Sequence, residues 1–96
     1  MNIVESSLYK IQLRKITLNI KKDKKTAAVK FAKDLKKQIN GISNMPYKYK
    51  KSYYHEDENI RDMVFKGYTI IYKIYENHIL IVEIFNKNLP TLIDIE

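Results

Sequence analysis

The side chains with the most chemical capacity lie between positions 47 and 73 of this 96-residue sequence. Tyr47, Lys48, Tyr49, Lys50 and Lys51 alternate rings with ammonium groups, and Tyr53 and Tyr54 follow directly. Lysines track phosphate while aromatic faces stack on bases, so nucleic-acid contact is one reading of this run. The same density of tyrosine suits a protein interface, or a solvated loop whose rings pack on the rim of the core. Ten residues on from this run, Arg61 offers a planar fork that clamps phosphate or carboxylate. Its structural alternative is an ion pair with Glu56 or Glu58. What remains available for catalysis is Lys, Arg, Tyr and His, the kit of a metal-free nuclease, which must gather base, acid and phosphate clamp on one face.

Other chemistries find little support. There is no cysteine, so disulfides and thiolate metal sites are excluded. His55 and His78 cannot build a tetrahedral metal centre without carboxylate help. His55-Glu56-Asp57-Glu58 reads as a solvated acidic turn, because converging ligands within so short a loop usually need glycine punctuation. Ser6, Ser7, Ser43 and Ser52 stand outside any nucleophile-elbow pattern. Only Gly41 and Gly67 are present, too few for a phosphate-cradling loop. No metal and no cofactor are expected.

These groups are positioned by a helical half followed by a strand-rich half. Tyr9, Leu13, Ile16 and Ile20 fall at helical spacing, and residues 8–22 hold no Gly or Pro, so a helix is expected there despite a strand-like alternation at Ile16, Leu18 and Ile20. Ala28, Phe31, Ala32, Leu35, Ile39 and Ile42 draw a second apolar stripe, with lysines opposite. Asp23 or Thr26 is the expected cap at its start, and Gly41 suits a left-handed closing turn. The KKDKK linker permits only a tight reversal, giving two antiparallel helices over about residues 8–42.

Residues 60–65, 68–75 and 79–85 are rich in Ile, Val, Tyr and Phe and read as strands. Lys66-Gly67 and Glu76-Asn77-His78 separate them as hairpin turns, with Gly67 supplying positive φ. The result is an antiparallel meander over about residues 53–86, with residues 1–5 as an optional edge strand. Tyr68, Ile70, Tyr72 and Ile74 share one face, while Thr69, Ile71, Lys73 and Tyr75 share a mixed face expected to meet solvent in part. Arg61 and Asp62 point to opposite faces. Pro90 ends the last strand and leaves a tail over residues 87–96.

A chain of this length forms a single domain with a small core, stabilised by any partner that binds only the folded form. The formal net charge of +7 is unevenly placed. Residues 1–51 carry +11 and residues 52–96 carry −4, so a basic surface faces an anion-rich partner or simply keeps the helices solvated. No apolar run is long enough to span a membrane, and the first residues lack a signal-peptide pattern, so a cytoplasmic protein without membrane contact is expected.

The AAVKFAKDLKKQI helix, the proline after it, the IR that opens a strand and the GYTIIYKI strand resemble, in that order, the RelE/ParE superfamily of toxins from bacterial type II toxin–antitoxin systems. The resemblance covers about residues 1–90. It implies an α+β fold, two N-terminal helices packed on a twisted antiparallel sheet of three to four strands. It also implies a cognate antitoxin that binds the toxin, and a toxin–antitoxin hetero-oligomer. RelE-like members cleave messenger RNA on the ribosome, whereas ParE-like members act on DNA gyrase. For the ribonuclease branch the matching set here is Lys50, Lys51, Arg61 and Tyr72. The late arginine and tyrosine of that branch have no counterpart in the last strand and tail, where Lys87 is the cation. Losing one such charge-stabilising donor costs about 2.7 to 4 kcal/mol, so the resemblance favours the ParE-like branch and action by binding. Lys48, Lys50, Lys51, Arg61, Lys66 and Lys73 are then the candidate contacts to the target. A third possibility is a degenerate member that binds antitoxin without harming the cell.

Overall fold

The computed structural model describes residues 1–86. Chain order is β1 (Asn2–Glu5), α1 (Ser7–Asp23), α2 (Lys25–Asn40), a 3-10 turn (Gly41–Ser43), β2 (Ile60–Phe65), β3 (Tyr68–Ile74) and β4 (His78–Phe85). The four strands form one sheet in the order β1-β4-β3-β2, and both helices cover one face of it. Pro90 and the expected tail lie outside the described residues.

The stripes read from the sequence are the buried ones. Tyr9 of α1 and Phe31, Leu35 and Ile39 of α2 are buried with Ile42, facing Met63, Phe65, Ile70, Tyr72, Ile74, Ile79, Ile81 and Ile84 of the sheet. Leu13, Ile16 and Ile20 pack against this cluster from the rest of α1. Phe31 meets the edges of Phe65 and Tyr68 at centroid distances of 5.3 and 5.5 Å, which fixes α2 over the β2–β3 hairpin. That hairpin closes through Lys66 (φ 47) and Gly67 (φ 84), both in the left-handed region, as the tight turn of twisted antiparallel strands requires.

Several expectations are corrected. β1 joins the sheet parallel to β4, not antiparallel, because the two helices carry the chain back before β4 is reached. The cap of α2 is neither Asp23 nor Thr26: Lys24 alone links the helices in an extended conformation, with no side-chain hydrogen bond. Gly41 keeps right-handed helical geometry (φ −67) and passes into the 3-10 turn. The far face of the sheet meets solvent in part at Thr69, Lys73 and Tyr75, as expected, but is closed at its centre. Ile60, Ile71 and Val82 are buried there with Asp62 and Glu83, while Val64 at its rim is 59% exposed. Tyr54 stacks edge-on against Phe85 at 5.4 Å, bringing the 50–59 segment across that face.

The helices also complete the strand edges. A bulge leaves Val82 without a register partner on β3. Ser6 exploits it: its amide donates to the Ile81 carbonyl at 3.0 Å, its hydroxyl donates to the Val82 carbonyl at 2.6 Å, and the same oxygen accepts the Tyr9 amide at 3.0 Å to cap α1. The Gln12 side chain accepts the Ile84 amide at 2.8 Å, and Gln38 of α2 donates to the Val64 carbonyl at 3.2 Å on the other edge. Buried or half-buried strand edges are thereby satisfied without further strands.

Candidate partner and target surfaces

Residues 44–59 leave the end of α2 and run along the outer side of β2. Ser52 donates its amide to the Ile60 carbonyl at 2.7 Å, the Asp62 amide donates to the Lys50 carbonyl at 3.1 Å, and Lys51 bridges Arg61 in antiparallel fashion. This short pairing covers the edge of β2 and turns the lysines outward.

Arg61 and Tyr72 are cross-strand partners beneath this segment, on the helix side of the sheet. The structure therefore brings these two candidate residues together. Both direct their polar atoms at the segment above them. Arg61 donates from Nε to the Glu58 carbonyl at 2.9 Å and from Nη1 to the Tyr49 carbonyl at 3.1 Å. Its Nη2 lies 3.6 Å from the Glu58 carboxylate, and its guanidinium sits 4.9 Å over the Tyr47 ring. Of the two carboxylates named from the sequence, Glu58 makes the ion pair. Tyr72, fully buried, donates its hydroxyl to the Pro46 carbonyl at 2.6 Å, with Tyr49 edge-on at 6.4 Å. Burial pushes its phenol well above the usual tyrosine range, only partly opposed by the Arg61 charge, so it stays protonated as a donor.

The other candidates divide by location. Lys48 and Lys50 are exposed on the segment, Lys48 reaching over the Tyr49 ring at 5.5 Å, and Lys51 stands 3.9 Å from Glu58. Tyr47, Tyr53 and Met45 project beside them, Tyr53 being 78% exposed. Lys66 is remote, at the β2–β3 turn, where it pairs with Asp34 at 3.6 Å. Lys73 is on the opposite face, 3.4 Å from Asp57, whose pKa is lowered by the Asn59 amide first and by Lys73 and His55 after it. The lysine–tyrosine run thus makes one surface with Arg61 and Tyr72 as its foundation, and Lys66 and Lys73 stand apart from it.

A second surface was not visible in the sequence. A cleft of ≈ 440 Å³ opens between β1 and the two helices, walled by Ile3, Val4, Tyr9, Leu13, Leu35 and Ile39, with Lys10 and Lys36 among its lining. Among the described residues, no strand pairs with the outer edge of β1. A cleft lined by apolar side chains together with Glu5, Lys10, Lys36 and Asn40, beside an open strand edge, fits an extended or helical chain segment from another protein. This cleft lies on the helix side of the sheet. No grouping of His, Asp or Glu fit to hold a metal ion occurs among the described residues.

Two helices over one face of a β1-β4-β3-β2 sheet, with a basic loop at one edge and a cleft at the other, make the α+β architecture that the resemblance implied. The sequence matches the family described as ParE toxin of type II toxin–antitoxin system, parDE, over residues 6–88, and the chain belongs to that family. Its fold is similar to that of a chain in the chromosomal ParDE TA system from P. aeruginosa, with a TM-score of 0.73 at 13% identity, covering 90% of this chain and 95% of that one. No curated protein matches the sequence. Membership of a toxin–antitoxin family implies an antitoxin as partner. No helix among the described residues is long and apolar enough to cross a membrane.

Proposed function

We propose that this chain acts as a ParE-like toxin that inhibits DNA gyrase by binding it, and that a cognate antitoxin silences it by laying a segment in the β1 cleft. The observation that carries the binding reading is the engagement of Arg61 and Tyr72. Their polar atoms face the Glu58, Tyr49 and Pro46 carbonyls, so they brace the lysine–tyrosine segment instead of facing a phosphodiester. A general acid or charge clamp must reach the reacting atoms, and here both groups spend their donors on carbonyls of the chain itself. Lys48, Lys50, Tyr47 and Tyr53 then form the surface offered to the target, with Tyr47 and Tyr53 as the aromatic anchors expected of a protein interface.

Supercoiling of relaxed plasmid by purified gyrase tests this reading. Inhibition that saturates with toxin, and that weakens at least about 10-fold in a Tyr53→Ala, Lys50→Ala double variant, is the expected result. Undisturbed supercoiling at saturating toxin overturns it. The ribonuclease alternative draws on the adjacency of Arg61 and Tyr72, and primer extension on translated messages separates the two. Cuts at fixed codon positions that vanish in Arg61→Ala with Lys51→Ala would replace the gyrase reading. Normal growth of an antitoxin-free host at confirmed expression would replace both with a binder that harms nothing.

A further inference from the structure

We infer that the outward face of the α1–α2 hairpin is a docking surface for the phosphate backbone of double-stranded DNA, distinct from the lysine–tyrosine segment and meeting the β1 cleft at Lys10 and Lys36. Residues 7–40 carry ten lysines and Arg14 against two acids, Asp23 and Asp34. Every one of those eleven cations is exposed. Asp34 is already shared between Lys30 at 3.1 Å and Lys66 at 3.6 Å, and these cations first of all hold its carboxyl below the usual range. The layer therefore presents its charge with little internal neutralisation. α1 alone, with 17 residues, spans about 26 Å, long enough to follow several successive phosphates on one strand.

The type and placement of the side chains select DNA over other anionic partners. Protein interfaces are enriched in Arg and depleted of Lys, the reverse of the ten-to-one ratio here. Lysine binds phosphate as a point charge and needs no fixed geometry to follow a phosphate backbone. Ile11 and Leu18, two turns apart on α1, and Val29 on α2 are exposed at 56%, 50% and 62%. Burying the two on α1 yields roughly 1.5 to 3 kcal/mol each, short of the several kcal/mol that docking a protein or entering a bilayer through them requires. A second copy of the chain is disfavoured because it would set two basic layers against each other. Counterion release from duplex DNA needs no apolar contact, so the charges suffice. A toxin held on DNA in this way would meet any enzyme that works on that DNA at raised local concentration.

Fluorescence anisotropy of a labelled 20-base-pair duplex with the isolated chain tests this without gyrase, so its failure is distinct from failure of the gyrase reading. About five phosphate contacts are expected, giving a slope of about −4.5 for log affinity against log salt. Affinity then falls several hundred-fold between about 50 and 200 mM salt. A Lys15→Gln, Lys22→Gln, Lys33→Gln variant, folded by circular dichroism, reduces the slope by about 2 to 3. Lys48→Gln, Lys50→Gln, Lys51→Gln removes the same formal charge from the other surface and leaves the slope within about 1 of the parent. Equal losses in the two variants would mean that only overall charge is read, and would overturn the inference. So would a slope near zero, or tighter binding to phosphatidylglycerol vesicles or to polyglutamate than to the duplex.

Discussion

Tyr72 and Arg61 sit side by side across β2 and β3, and each reaches a carbonyl of the 46–49 stretch instead of solvent. Tyr72→Phe removes the hydroxyl donor and leaves the Pro46 carbonyl without it. The expected loss is about 1 kcal/mol in urea unfolding, with a larger fractional loss of target binding because the lysine–tyrosine segment loses its brace. An unchanged urea midpoint together with unchanged target binding would contradict the bracing role. Asp34 gives a second residue-scale test. Its carboxyl is depressed below the ordinary 3.8, the hydrogen bond from Lys30 being the largest cause, so the folded form binds that proton less readily than the unfolded chain. Its contribution is complete above the ordinary aspartate value and disappears as pH falls through the lower folded value. Asp34→Asn therefore lowers stability at neutral pH and converges on the parent in acid, measured as urea midpoints from pH 7 down to pH 3. Because the group is solvent-facing, the effect shrinks in high salt.

At the scale of elements, α1 begins where Ser6 links its own first turn to the bulge of β4. Ser6→Ala removes the cap to Tyr9 and the bond to the Val82 carbonyl together. A drop of about 1 to 2 kcal/mol is expected, read as a shift of the thermal midpoint by several degrees. Both helices, the three C-terminal strands and the Lys66-Gly67 turn were legible from periodicity and turn chemistry, since 3.6-residue stripes and period-2 alternation are local signals. The role of Ser6 was not legible, because its partner is 76 positions away. For the same reason the parallel pairing of β1 was hidden: four residues fix no direction, and the choice is made by β4. Gly41 misled because glycine permits a left-handed turn without demanding one. Of the surfaces, the lysine–tyrosine run could be read directly. The cleft could not, since its walls come from β1, α1 and α2, and no one segment outlines it. Nor did residue type reveal that Arg61 and Tyr72 face inward.

At the scale of the whole molecule, the cleft beside β1 and the lysine–tyrosine segment beyond β2 occupy opposite edges of the sheet. Separate edges predict separable phenotypes. Ala32 of α2 lines the cleft and is half-buried, so Ala32→Glu places a carboxylate in the cleft, with circular dichroism to check that the fold is kept. Antitoxin affinity is expected to fall at least about 10-fold by calorimetry, while gyrase inhibition persists, giving a toxin that escapes neutralisation. Retained antitoxin affinity would move the inhibitor's seat elsewhere. The pairing of the first strand with the last also bears on synthesis at the ribosome. A growing chain holds β1 and the start of α1 without their complement until residues 78–84 emerge, so the helical layer cannot dock on a finished sheet before then. Nascent fragments accordingly lack an assembled cleft and a braced loop at once.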